Sequence, residues 1–176
     1  MSSAAFPRAL AFTSRWEGGT SNDPRDDGGL TVAGVIQRTY SRWRRKHGLP
    51  DRPVTESTSD EREQIYFEEF WQAAGCFNFG DTLAIVLFDC AVNPGVDRAV
   101  CMLQAVVNAR IDGRLGPKTR SAVAAYSESR AARDLVNARK GYHVARAFAD
   151  AHNWAFAEGW QNRSDDLLRE IGMVGV

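Results

Sequence analysis

Asp81-Thr82-Leu83-Ala84-Ile85-Val86-Leu87-Phe88-Asp89-Cys90-Ala91-Val92-Asn93 contains the longest apolar run of the chain, six residues ended by Asp89. A short continuous apolar run fits a buried strand or a buried helix equally well by pattern. The elements on either side read as helical, and Pro94-Gly95 supplies a helix stop, so the spacing predicts a helix over 81–93. With this segment helical the chain is all-α; with it a strand, the core would be built on a sheet. The run is also far short of the ~20 apolar residues needed to span a bilayer.

The neighbours repeat the helical period. Phe6, Ala9, Leu10, Phe12 and Trp16 predict a first helix over about 3–17, closed by Gly18-Gly19. Thr20–Thr31 is rich in Asn, Asp, Pro and Gly and reads as a loop or a tight irregular hairpin. Helices are expected over 35–46, from Ser59 with a serine cap and acids in its first turn, and over 97–108. The helix from Ser59 carries Ile65, Tyr66, Phe70 and Trp71 inward. Asp112-Gly113 reads as a turn before a helix with Pro117 in its first position, and a long amphipathic helix follows through Ala131, Leu135, Ala138, Tyr142, Ala145 and Ala149. A last helix covers 154–171.

The 176 residues suffice for one well-filled core. A zero formal net charge excludes strong global attraction to nucleic acid or anionic lipid. The basic cluster Arg42, Arg44, Arg45, Lys46 and His47 is a solvated helix end or a contact for an anionic polymer. Cys76, Cys90 and Cys101 are odd in number and lack metal-ligand spacing, and His47, His143 and His152 are scattered; no metal or other cofactor is expected. The N-terminus lacks a basic region followed by an apolar core, so the expectation is synthesis in the cytoplasm without a secretory signal.

The chemistry is concentrated in Trp16-Glu17-Gly18-Gly19 and Asp26-Asp27-Gly28-Gly29-Leu30-Thr31. Glycoside hydrolysis needs one carboxylic acid to protonate the leaving oxygen and a carboxylate to steady an oxocarbenium-like transition state or activate water. Glu17 suits the acid, because an apolar helix and Trp16 form a setting that favours a proton-bearing carboxyl, and the glycines leave room for a polymer. Asp26 or Asp27, in a wet turn, suits the second role, and Thr31 can hold the water. Such a glutamate is also an ordinary helix end, and Asp-Asp-Gly-Gly is ordinary turn chemistry.

These motifs, in order, resemble glycoside hydrolase family 108, lysozyme-like N-acetylmuramidases of phages and bacteria. The resemblance runs through Glu17-Gly18-Gly19, Asn22-Asp23-Pro24, Asp26-x-Gly28-Gly29-x-Thr31, Gly34-Val35-Ile36-Gln37, Tyr66…Phe70-Trp71, Phe88-Asp89-x-Ala91-Val92-Asn93-x-Gly95 and Asp112-Gly113-x-x-Gly116-Pro117-x-Thr119. Tyr142, Phe156 and Gly159-Trp160-x-Asn162-Arg163 are similar to the predicted peptidoglycan-binding region that follows in that family. The resemblance implies a lysozyme-like helical fold with a catalytic region over 1–108 and a helical peptidoglycan-binding region over 109–176, packed as one unit. It implies Glu17 as catalytic acid, with Asp26 and Thr31 as its partners. Asp27 stands where proline is common, which leaves the second carboxylate a choice between neighbours, and Ala33 stands where an aromatic residue is common.

Asp89 and Asn93, one helical turn apart, then border the cleft or form a buried hydrogen-bonding pair. Trp160, Asn162 and Arg163 contact glycan, or Trp160 anchors the core with Arg163 over it. The implied activity is cleavage of the β-1,4 bond between N-acetylmuramic acid and N-acetylglucosamine by a monomeric, bacteriolytic endolysin released by a holin or a secretion system. A lytic transglycosylase on the same substrate and a non-catalytic wall-binding protein are the alternatives.

Overall fold

The computed structural model describes residues 4–17, 20–21, 31–150 and 153–173. Eight α-helices account for most of them: α1 Ala5–Trp16, α2 Gln37–Lys46, α3 Ser59–Tyr66, α4 Asp81–Val92, α5 Val96–Val106, α6 Pro117–Tyr126, α7 Glu128–Ala149 and α8 Trp154–Glu170. The all-α, lysozyme-like expectation holds. The 81–93 segment is helical and central: every residue from Leu83 to Ala91 of α4 is buried. A helix covered on all sides needs no polar stripe, which is why its sequence shows no helical period. α1, α5 and α7 pack around α4, and α8 packs on α7.

The aromatic side of the core joins α1 to the third helical segment. Phe6 meets Phe67, Trp71 and Phe88 edge to face at 5.0, 5.5 and 5.7 Å between ring centroids. The five-residue step from Ile65 and Tyr66 to Phe70 and Trp71 does not fit a regular α-helix. It is accommodated by a π-helical turn, Phe67–Gln72, that follows α3 directly. Across the wider turn Tyr66 and Trp71 are both buried, while Phe70 is half-buried.

Three short strands form an antiparallel sheet in the order β1 Thr20–Ser21, β2 Thr31–Val32, β3 Val35–Ile36. The expected helix start at 35 is therefore displaced to Gln37, because Val35 and Ile36 pair with Val32 and Thr31. Ala33 and Gly34 close this hairpin with φ of +46° and +77°. Two successive positive φ values are what a tight two-residue hairpin demands, and they put an alanine in a region usually left to glycine or asparagine. The cap of α3 is Thr58, not Ser59: its hydroxyl accepts from the Glu61 N–H while the Glu61 carboxylate accepts from the Thr58 N–H.

The basic cluster on α2 is neutralised from within. Arg42 pairs with Glu69 at 2.5 Å, Lys46 with Glu68 at 2.7 Å, and buried Arg44 with Glu61 at 2.6 Å. Asp112-Gly113 is a turn fixed by buried Gln104, whose Oε1 accepts both backbone N–H groups at 3.0 Å and whose Nε2 donates to Asp112 Oδ1 at 2.9 Å. Cys76 and Cys90 are buried free thiols, and Cys101 is a partly buried one.

Leu83, Leu87 and Phe88 share one core cluster with Leu135, Val136 and Leu167. The early and late helices thus fill a common interior. Leu135→Ala is expected to cost about 2–5 kcal/mol, and urea unfolding followed by both tryptophan fluorescence and circular dichroism is expected to show a single coincident transition.

Candidate active site

Glu17 ends α1. Its backbone N–H donates to Thr13 O at 3.0 Å, so the last turn of the helix fixes where the side chain leaves. The side chain is 22% exposed, within reach of a ligand yet held from below. That hold is a guanidinium: Arg163 Nη1 of α8 donates to Glu17 Oε1 at 2.7 Å. The setting differs from the apolar one that the sequence suggests, because Arg163 lies 146 positions away and no local pattern announces it.

Arg163 is itself committed to the interior. Its Nη2 donates to Asp89 Oδ1 at 2.7 Å, and its Nε lies 3.2 and 3.3 Å from the two oxygens of the same carboxylate. Asp89 is fully buried, and it also accepts from Thr13 Oγ1 at 2.9 Å and from Arg139 Nη1 of α7. Ser164 continues the network, accepting from Arg139 Nη2 at 3.3 Å and donating to Trp160 O at 2.8 Å. Burial would push the Asp89 carboxyl up, but Arg163 and Arg139 overcome it and hold its pKa down at about 2. Arg139, Arg163, Asp89 and Glu17 thus form one connected network.

The other side of Glu17 faces the β2–β3 turn. A side-chain carbon added at Gly34 would run into the Tyr66 hydroxyl and lie 3.0 Å from Glu17 Oε2. Gly34 is therefore required twice, by its positive φ and by this close approach. The Tyr66 hydroxyl donates to Ala33 O at 2.9 Å and pins the turn. Burial, and then the negative charge of Glu17, push the Tyr66 phenol well above its ordinary range, so it remains a donor. Arg163 anchors Oε1, and among the described residues Glu17 Oε2 accepts no hydrogen bond.

The remaining expected site residues separate clearly. Thr31 lies half-buried on β2, opposite Ile36, on the hairpin whose turn abuts Glu17. Asp26 and Asp27 lie outside the described residues. Asp89 and Arg163 do not face a cleft: both are buried, and Arg163, held by Asp89, reaches Glu17 from inside. Asn93 caps the end of α4, half-buried, with its N–H on Asp89 O at 3.2 Å. Asn162 is exposed, one step round the helix from buried Arg163. Trp160 is half-buried against His143, and the cation over its ring is Arg146 at 5.3 Å, not Arg163.

Sequence reading does not find Thr13, Arg139, Ser164 or the role of Tyr66 and Gly34. Arg139 leaves a trace: it falls four residues after Leu135 on the apolar face of α7, where a charge requires an internal partner.

The pH dependence of stability follows from Asp89. A carboxyl whose folded value is about 2 against ~3.9 unfolded contributes stability that is present in full above pH ~4 and lost as pH falls through the folded value. Thermal midpoints recorded from pH 7 to pH 2 are expected to fall mainly between pH 4 and 2. Asp89→Asn is expected to have a lower midpoint at pH 7 and a shallower fall across that window.

Residues 10–95 match the family model Glycosyl hydrolase 108, and residues 98–165 match the model Predicted Peptidoglycan domain. Among solved structures, that titled "Structure of Brucella abortus SagA" is similar at a TM-score of 0.82 and 27% identity, over 98% of this chain and 97% of that one. No curated protein matches the chain.

Proposed function

We propose, from the premise that this chain belongs to the glycosyl hydrolase 108 family and is a peptidoglycan hydrolase, that it acts as an N-acetylmuramidase with Glu17 as its general acid. The observation that carries this reading is the asymmetric hold on Glu17. Arg163 fixes Oε1 at 2.7 Å, while Oε2 stands beside the Gly34 turn without a hydrogen-bond partner among the described residues. A carboxyl anchored through one oxygen can carry its proton on the other, aimed at a glycosidic oxygen arriving over the turn. Proximity and orientation then come from the fold rather than from the substrate.

In this mechanism Glu17 protonates the oxygen leaving C1 of N-acetylmuramic acid. Asp26, or its neighbour Asp27, stabilises the developing cation or takes a proton from the attacking water, and Thr31 holds that water. Support for Thr31 is its place on the hairpin that packs against Glu17. Glycan strands are the polymer acted on, and a holin or a secretion system is the proposed route to them. Lysis of bacteria is the role that fits such an enzyme.

Glu17→Gln is expected to slow release of fragments from purified sacculi by about 10²–10⁴-fold, with the circular dichroism spectrum retained. Mass spectrometry of wild-type products is expected to show reducing N-acetylmuramic acid ends. Ends in the 1,6-anhydro form would assign a transglycosylase instead, and full activity in the folded Glu17→Gln protein would remove Glu17 from the mechanism.

Arg163 is a positioning residue in this scheme. Arg163→Lys keeps the charge but not the three-way fork that spans Asp89 and Glu17. It is expected to lower kcat with KM for sacculi little changed, and to lower the thermal midpoint. A variant with unaltered kcat would show that Glu17 does not depend on this contact.

A further inference from the structure

The C-terminal half of α7 and the start of α8 form a surface that the site at Glu17 does not use. Of the seven large apolar side chains exposed among the described residues, four are here: Val144, Phe148, Trp154 and Phe156. Phe148 is the most prominent, 74% exposed, and its ring meets Trp154 edge to face at 5.1 Å. Gly141, Ala145 and Ala149 are exposed too, at steps of four, so they form a low ridge along the face that carries Val144 and Phe148. A Cβ built on Gly141 would meet nothing within 4 Å.

Beside the ridge lies a pocket of about 130 Å³ between α7 and α8, with apolar walls from Val144, Ala147, Trp154, Ala157 and Trp160. Its polar members are His143, Lys140 and Gln161. Two of these are already engaged: His143 lies nearly flat on Trp160 at 4.5 Å, and Lys140 Nζ donates to Asp165 Oδ1. Gln161 is exposed. The volume is close to the ~150 Å³ of an apolar cavity that admits a benzene ring. The surface thus holds a protruding aromatic ring and, beside it, a hole of the size of such a ring. Val144 joins the two, because it lines the hole and lies one helical turn before Phe148.

A knob and a hole on one surface are what an isologous two-fold contact uses, since each copy then fills the other. The area suits such a contact. The three exposed aromatics leave on the order of 350 Å² open. Val144 and the small residues of the ridge bring the patch near the ~600 Å² per partner at which specific interfaces begin. That size is also at the upper end of the single apolar patch that a monomer leaves in water. The charges suit it as well. Among the described residues of 141–159 the exposed charges are Arg146, Asp150 and Glu158. Both signs are present, so a two-fold axis can set unlike charges opposite one another, whereas an anionic bilayer calls for a basic rim and acids outnumber bases here. We propose that this face pairs two copies of the chain. The ridge of α7 packs against the same ridge of the partner, where the small residues allow close approach, and Phe148 of each copy sits in the pocket of the other. The pair replaces the monomer that the family resemblance implies, and it does not depend on the hydrolase reading.

The test is sedimentation velocity on the full-length protein from ~1 to ~200 μM. The wild type is expected to pass from monomer to dimer as concentration rises, with no larger species, because a two-fold contact closes on itself. Phe148→Glu removes the knob, Ala157→Phe fills the hole, and Ala145→Arg raises the ridge. Each is expected to increase the dissociation constant about tenfold or more. Ala145→Arg changes an exposed helical position, so it reads the interface even where a pocket substitution disturbs the fold. Phe77→Glu, at an exposed site elsewhere, is the control and is expected to pair as the wild type does. A wild type that stays monomeric over the whole range overturns the proposal, as does a dimer indifferent to these substitutions or lost equally in Phe77→Glu. Association that continues beyond the dimer overturns the two-fold contact. A monomer that binds phosphatidylglycerol vesicles, and loses that binding in Phe148→Glu, assigns the face to a membrane and overturns the pairing.

Discussion

The buried carboxylate of Asp89 is the constraint around which the other parts are arranged. A lone ionised group at the centre of α4 would be prohibitively costly, so it requires cations, and here it has two, Arg139 from α7 and Arg163 from α8. Two guanidiniums on one carboxylate leave an excess positive charge inside the protein. Glu17 accepts from the second of them, Arg163, and the geometry ties its position to this pairing as well as to packing. The acid at the end of α1 is thus held by the same interaction that docks α7 and α8 onto α4.

This gives the late helices a role beyond covering the core. Glu17 and Asp89 fall within the segment matched to the glycosyl hydrolase model, while Arg139 and Arg163 fall within the segment matched to the peptidoglycan domain. The network crosses from one to the other, and further ties follow the same line: Trp16 Nε1 donates to Asp166 at 3.2 Å, and Arg15 pairs with Glu170 at 3.1 Å. Arg139 and Arg163 lie near the middle of α7 and α8.

A second constraint is steric. The β2–β3 turn reaches Glu17 only because Gly34 has no side chain, and Ala33 accepts a positive φ because Tyr66 bonds its carbonyl. Tyr66 is delivered by α3 just before the π-helical turn that returns Trp71 to the core. The wall of the site opposite Arg163 therefore rests on backbone features, a left-handed turn and a widened helix, rather than on charge.

Much of this was legible from local pattern. The helices of α1, α4, α6, α7 and α8, the proline that begins α6 and the catalytic candidacy of Glu17 follow from periodicity, turn residues and motif order, all properties of neighbours along the chain. Two features escaped and a third stayed open. The strand at Val35-Ile36 depends on pairing with Thr31-Val32, which competes with helix propensity only once the turn has closed. The π-helical turn appears in the sequence merely as an unexplained five-residue step. For Asp89 and Arg163 the sequence left inward and cleft-facing roles open, because polar residues one helical turn apart, or beside a tryptophan, look the same whether they face solvent or one another. The sequence by itself determined an all-helical chain with an acid placed at a helix end, since those depend on short-range geometry. Only the tertiary structure decided what that acid is bonded to, because electrostatic pairing in the interior joins residues 13, 17, 89, 139 and 163, whose proximity is set by packing and not by spacing.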